Sequence, residues 1–259
     1  NWSGDTLTED LDLSYRAQLK HWKFKYLEDV ETPAELPVAI SAARSQQFRW
    51  NKGAAENFKK NFKKLLKDKS VPFGTKFHAF FHLLNSSMFL IILVLAVLSI
   101  PVLFIKNNNP QFGWYFNLVA FFLVSTLIFF LCYYAAYAKI HGKSFKSFLK
   151  FIGMFFTFFS VAMGFSVHNS LAVLEGHLGK KSAFIRTPKF NVSSLNDSWK
   201  KNIYIQQKFS LSIGVEFALW LYFGFGLYSA FMLNDFSLAI FHLMLFIGFG
   251  FVVFRSVRI

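Results

Sequence analysis

The chain has 259 residues, 54% of them hydrophobic, with 37 Phe and with 28 Lys plus Arg against 14 Asp plus Glu, a formal charge of +14. That apolar content is foreign to ordinary soluble domains, and the basic residues flank apolar runs, which points to anionic lipid and away from nucleic acid. All the acidic residues except Glu175, Asp197, Glu216 and Asp235 fall within the first 70 positions, so a polar head precedes a membrane body.

The head opens with TLTEDLDLSYRAQLKHW, residues 6 to 22. Thr6 and Glu9 have capping-box spacing, and Glu9, Asp10 and Asp12 fall in a first helical turn, where the helix dipole favours negative charge. HWKFKYLED follows, alternating Trp22, Phe24 and Tyr26 with Lys23 and Lys25 at the period of a half-buried strand. A turn through Thr32 and Pro33 leads to Pro37, at the start of a helix carrying AISAARSQQFRW. On that helix Gln46, Arg49 and Trp50 stand at i, i+3 and i+4 and share one face. An amide, a guanidinium and an indole side by side suit a sugar or a diphosphate: the guanidinium binds phosphate oxygens, the amide bonds hydroxyls and the indole stacks on an apolar sugar face. From Lys52 to Lys69, Phe58, Phe62, Leu65 and Leu66 recur at helical spacing among lysines, the pattern of a helix lying on an anionic membrane surface. The head is short for an independent core and begins at Asn1, so an upstream part of a larger protein is expected.

Five apolar runs follow, Leu83 to Ile105, Trp114 to Ala138, Phe148 to Val167, Leu211 to Leu233 and Phe236 to Phe254, each near the roughly 20 residues that cross a bilayer. Cys132 lies inside one of them and carries no disulfide information. The loops on both sides of the third run are basic, with Lys139, Lys143, Lys146 and Lys150 before it and Lys180, Lys181, Arg186, Lys189, Lys200, Lys201 and Lys208 after it. The positive-inside rule is best satisfied if the third run is interfacial or re-entrant, leaving about four crossings and a cytoplasmic C-terminus at Arg255 and Arg258. Glu216, within LSIGVEFALWLYF, must face a protein interior or an aqueous path. With Trp220 and Tyr222 it either lines a passage for a sugar chain or partners a basic residue, and His242 is expected to hydrogen-bond between helices.

Taken in order, TED at Thr8, Glu9 and Asp10, QQFRW at 46 to 50, a lysine-rich helix and apolar spans resemble the C-terminal half of the membrane-embedded family 2 glycosyltransferases, the cellulose, mannan and hyaluronan synthases. FIRTPK at 184 to 189 is similar to their F-x-V-T-x-K gating loop, with Phe184, Thr187 and Lys189 matching and Arg186 in place of the valine. The resemblance implies that Asp10, beside Glu9, is the general base, that Gln46, Arg49 and Trp50 meet the acceptor end and the donor diphosphate, and that Phe184, Thr187 and Lys189 belong to a loop closing over the nucleotide. It also implies Mg2+ or Mn2+ held by an Asp-x-Asp element upstream of this chain. Asp10 and Asp12 have that spacing but belong to the TED helix, so no metal ligand is assigned here. His21 replaces the glycine that relatives commonly carry before this Trp.

The fold implied is a mainly α membrane protein. Residues 1–50 would close a GT-A (α/β) glycosyltransferase domain, 51–78 would form an interfacial helix, and 79–259 would form a transmembrane region with a cytosolic gating loop at about 179–208. The function implied is inverting, processive polymerisation of a UDP- or GDP-hexose onto a growing β-linked glycan, with translocation through the spans. The rivals are single transfer to a lipid acceptor and a non-catalytic membrane scaffold. Lipid bilayer, nucleotide sugar and glycan are the expected partners, with any export partner open and no nucleic acid.

Overall fold

The computed structural model describes residues 2–27, 29–121, 123–187 and 211–257. The elements are α1 (Glu9–Gln18), α2 (Ile40–Lys67), α3 (Phe73–Leu84), α4 (Met88–Asn108), α5 (Gly113–Ala120), α6 (Leu123–His141), α7 (Phe145–Gly164), α8 (Ser166–Leu178), α9 (Leu211–Met232) and α10 (Ala239–Val257). Among the described residues there is no strand. The chain divides into two compact units, one drawn from Asn1–Ile92, Ser166–Ser212 and Arg255–Ile259, the other from Leu93–Phe165 and Ile213–Phe254.

In the first unit α1 carries Glu9, Asp10 and Asp12 in its first turn, as their spacing suggests. The expected Thr6–Glu9 capping box is not formed: Thr8 is the N-cap and makes no side-chain cap bond. Its hydroxyl instead accepts from Asn57 Nδ2 at 3.0 Å, and the same amide reaches the Thr8 carbonyl at 3.2 Å, so a tertiary donor has displaced the local one. Asp12 is buried and held by Arg16 at 2.7 Å, Lys60 at 2.9 Å and Asn61 at 3.0 Å. Burial opposes its charge, yet the hydrogen bonds from Asn61, Lys60 and Arg16 hold its carboxyl below the usual range.

The end of α1 explains the substitution at His21. The N–H of Trp22 bonds the Ala17 carbonyl at 3.1 Å and the N–H of His21 bonds the Gln18 carbonyl at 2.9 Å. This pair of bonds requires a left-handed residue at position 21, where φ is 63°. Glycine takes that conformation at no steric cost, and histidine does not. The alternating run after it is not a strand. It has no regular secondary structure, with Trp22 71% and Tyr26 88% exposed, and no strand among the described residues offers its backbone a partner.

Helix α2 starts at Ile40, three residues after Pro37, and continues unbroken for 28 residues through both QQFRW and the lysine repeat. Phe58 and Phe62 stack at 4.9 Å and pack on a buried cluster of Tyr15, Leu65, Ala79 and Leu83 from α1, α2 and α3. The apolar stripe expected to rest on lipid is thus largely enclosed by the chain itself. Burial pushes the Tyr15 hydroxyl up to about 12. An exposed phenylalanine stripe does exist, one element later: Phe73, Phe77 and Phe81 follow one another along α3, with successive ring centroids 6.3 and 5.0 Å apart. Helix α8 lies along α2 at backbone distance, since a Cβ on Gly176 would stand 2.6 Å from the Lys52 carbonyl oxygen.

Among the described residues, five helical segments are long and apolar enough to cross a membrane: Phe73–Asn108, Val124–His141, Phe145–Gly164, Leu211–Met232 and Ala239–Val257. The second expected run is interrupted between α5 and α6, and the third ends at Gly164, one residue before α8. Within the second unit, α6 and α7 form an antiparallel hairpin, with Tyr134 on Phe148 and Phe151 nearer the turn and Phe130 on Phe155 and Phe129 on Phe159 further along. Gly142, at φ 79°, precedes that turn. Helices α7 and α10 touch backbone to backbone: a Cβ on Gly248 would fall onto the Ser160 carbonyl oxygen, the small-residue contact by which apolar helices associate in lipid. His242 meets the expectation placed on it, bonding Ser99 of α4 at 2.9 Å. Lys106, in the last turn of α4, pairs with Asp235 between α9 and α10 at 2.8 Å, which brings these two helix ends together within this unit.

Gly248→Ala should lower the thermal midpoint of the detergent-solubilised protein, because overpacking costs about 1–3 kcal/mol. Gly214→Ala, which meets nothing within 4 Å, should not. An unchanged midpoint in Gly248→Ala would exclude the α7–α10 contact. Conversely, His21→Gly should raise the midpoint by relieving about 1 kcal/mol of left-handed strain, and a fall would exclude that backbone conformation.

Candidate functional site

The TED element and QQFRW are brought to the same helix pair by small contacts. Thr8 sits against Gly53, where a Cβ would come 2.5 Å from its hydroxyl oxygen. The N–H of Leu7 donates to Glu56 Oε2 at 2.8 Å, and burial pushes the Glu56 carboxyl upward. The start of α1 is therefore fixed on α2 one to two turns after Trp50. Asp10 is left exposed, and one of its carboxylate oxygens accepts from the Leu11 N–H at 2.8 Å. Glu9 beside it is half-buried.

On α2, Gln46 is half-buried and Trp50 is 50% exposed. The Arg49 guanidinium lies 4.9 Å from the centroid of Phe184. Residues 135 positions apart in sequence thus meet, and they come from the two motifs identified separately above. Thr187 follows with its hydroxyl oxygen buried and without a hydrogen-bond partner among the described residues. Lys189 lies outside the described residues.

Beneath this contact is a cavity of about 290 Å³ lined by Leu7, Arg44, Ser45, Phe48, Arg49, His168, Ser182, Ala183 and Ile185. Asp10, Gln46 and Trp50 stand outside it. His168 bonds the Arg44 carbonyl through Nε2 at 2.9 Å. Burial pushes its imidazole down to about 4, so at neutral pH it is uncharged, and Nε2 must carry the proton because a carbonyl only accepts.

Sequence reasoning missed Lys52, the residue that ties these parts together. It is fully buried, pairs with Glu175 Oε2 of α8 at 3.0 Å and donates to Ser182 Oγ. Two signals were available: Lys52 stands three residues after Arg49, and Glu175 is one of only four acids outside the head.

The residues expected at a glycan passage have different neighbours within the second unit. Glu216 is fully buried on α9, and Trp220, one turn on, stacks on Phe246 and packs against Gly250 of α10. Tyr222 points to α4, where its hydroxyl donates to the Val97 carbonyl at 2.7 Å. Pro101, inside α4, has no N–H to offer that carbonyl, so Tyr222 replaces the missing helical bond. As for a divalent cation, no three His, Cys, Asp or Glu side chains converge among the described residues. Asp12 cannot join Asp10 as a ligand, since both its oxygens are engaged by Arg16, Lys60 and Asn61. These residues do not fit a metal.

Residues 1–167 match the family described as Glycosyl transferase family group 2. The chain is 48% identical over 77 residues to "Probable glucomannan 4-beta-mannosyltransferase 3" of Oryza sativa subsp. japonica, covering 30% of this chain and 14% of that relative. It is 42% identical over 81 residues to "Glucomannan 4-beta-mannosyltransferase 1" of the same organism, covering 31% and 16%. It is 35% identical over 107 residues to "Glucomannan 4-beta-mannosyltransferase 7" of Arabidopsis thaliana, covering 38% and 19%. The chain thus spans less than a fifth of the length of these curated relatives in the regions matched. No solved structure matches. With more than half of its residues matched, including those of the TED and QQFRW motifs, the chain belongs to glycosyl transferase family group 2.

Proposed function

We propose that this chain forms the acceptor-side and membrane portion of an inverting, processive glycosyltransferase that extends a β-(1→4)-linked mannan-type polysaccharide from a nucleotide-activated mannose. The observation carrying the proposal is the contact of Arg49 with Phe184, which joins QQFRW to FIRTPK at one place. The names of the relatives support the sugar and the linkage.

In the proposed reaction, Asp10 removes the proton from the 4-hydroxyl of the acceptor's terminal sugar. That oxygen forms a bond to the anomeric carbon of the donor while the bond from that carbon to the nucleotide diphosphate breaks on the opposite face, giving inversion. An exposed carboxylate accepts such a proton and returns it to water. Arg49 offers bidentate hydrogen bonds to the departing diphosphate, Gln46 a hydroxyl contact and Trp50 a stacking face for the acceptor sugar. A divalent cation would be held by residues other than those described here, so no step is assigned to it. The bilayer is engaged through the apolar helices, with the exposed phenylalanines of α3 lying in the interface. Residues 148–167 are assigned a non-crossing role, supported by the basic loops on either side and by α8 following α7 after a single residue and lying along α2.

Asp10→Asn in the full-length protein should reduce sugar transfer by about 10² to 10⁴, with donor binding retained. Near-normal turnover would remove Asp10 from the mechanism. For the topology, single cysteines at Lys143 and Lys180, with Cys132 replaced, should both react with an impermeant thiol reagent from the cytoplasmic side. Labelling of position 180 from the opposite side would make residues 148–167 a crossing segment and separate FIRTPK from the donor.

A further inference from the structure

Residues 180 to 184 follow α8 without regular secondary structure, and their side chains are used alternately. Lys180 pairs with Glu175 Oε1, Ser182 accepts from Lys52 Nζ and Phe184 stacks on Arg49. Every second residue is anchored, which is how an extended chain presents one edge to a neighbouring surface. The last two anchors are i and i+3 on α2, so the segment runs along that helix toward its N-terminus, Ser182 at Lys52 and Phe184 one turn further on.

Lys52 is the fixed point of the arrangement. It has no exposure to water, its charge is met by Glu175 at 3.0 Å, and Phe48 covers it at 5.5 Å. Its backbone is pinned as well, because Gly176 of α8 approaches the Lys52 carbonyl too closely for any side chain. Glu175 shares its two oxygens between Lys52 and Lys180, so one carboxylate joins the helix to the first anchor of the segment.

We propose that Lys52 is a positioning residue for donor binding: its bond to Ser182 sets the register of residues 180–187 on α2, and that register seats Phe184 on Arg49. The proposal rests on the function assigned above to Arg49. A register shift of one residue in an extended segment turns its side chains to the opposite side, which would present Ala183 or Ile185 to the guanidinium. With Phe184 in place, the planar guanidinium is held by the ring and has less freedom to lose when a diphosphate arrives.

The test uses the full-length protein in detergent, comparing wild type with Ser182→Ala, Lys52→Met, the double variant and Glu175→Gln. Ser182→Ala leaves the Lys52–Glu175 pair intact and removes only the bond to the segment. Trypsin cleavage at Lys180, Lys181 and Arg186 should accelerate about tenfold in Ser182→Ala, the factor set by one charge-assisted hydrogen bond. The KM for nucleotide-activated mannose should rise by a similar factor, with kcat changed less than about twofold. The double variant should cleave no faster than Lys52→Met. If Ser182→Ala leaves both cleavage and KM unchanged while Lys52→Met and Glu175→Gln lower the thermal midpoint, Lys52 is only a strut between α2 and α8, and the proposal falls. Wild-type protein that transfers no sugar would instead sink the proposed function, and the cleavage contrast would then decide the register on its own.

Discussion

Two backbone-distance contacts on α2 govern the first unit. Thr8 sits on Gly53 on one side, and Gly176 sits on the Lys52 carbonyl on another. A methyl group at either glycine would force the elements apart by more than a bond to Asn57 or Glu175 can stretch. Close approach is therefore the condition for the polar contacts, since Asn57 reaches Thr8 and Lys52 reaches Glu175 only because no side chains intervene. The same helix leaves Gln46 half-buried and Trp50 exposed while Phe58, Phe62 and Leu65 face the core, so 28 residues carry the QQFRW motif in one half and packing in the other.

How much of this was legible in the sequence follows from the range of each interaction. Apolar spans were readable because lipid imposes length and hydrophobicity segment by segment, and five runs became five helical segments. Arg49 and Phe184 were readable as motif residues, but their contact was not, because nothing local in either stretch refers to the other. The Thr6–Glu9 cap failed for the same reason in reverse: the N-cap is Thr8, and the Thr8 hydroxyl is taken by an amide 49 residues away. The alternation at Trp22, Phe24 and Tyr26 misled because period two records which sides a chain could present, and only a pairing partner turns that into a strand. His21 shows a subtler case. The resemblance marks it only as a departure from glycine, and the backbone angle shows what glycine would have supplied there.

The second unit solves a different problem. Its helices have apolar residues on nearly all faces, so hydrophobicity cannot tell one helix face from another in lipid. Orientation comes from what is small or polar: Ser160, Gly164 and Gly248 between α7 and α10, Ser99 and His242 between α4 and α10, and Lys106 with Asp235 at the loop ends. The many phenylalanines of α6 and α7 fill the hairpin by edge and tilted contacts, which tolerate variation and add bulk more than direction.

Pro101 and Tyr222 form a pair of another kind. The proline opens a carbonyl at Val97 that no backbone amide can close, and the tyrosine on α9 closes it at 2.7 Å. Inside a bilayer an unclosed carbonyl costs several kcal/mol, so neither residue has much freedom to change while the other stays. The two behave as a single heritable character: a lineage that loses the proline regains the helical bond and releases the hydroxyl, whereas one that loses the tyrosine first must pass through a less stable membrane protein. Across related chains, their identities should therefore drift together, with the proline the first of the two to go.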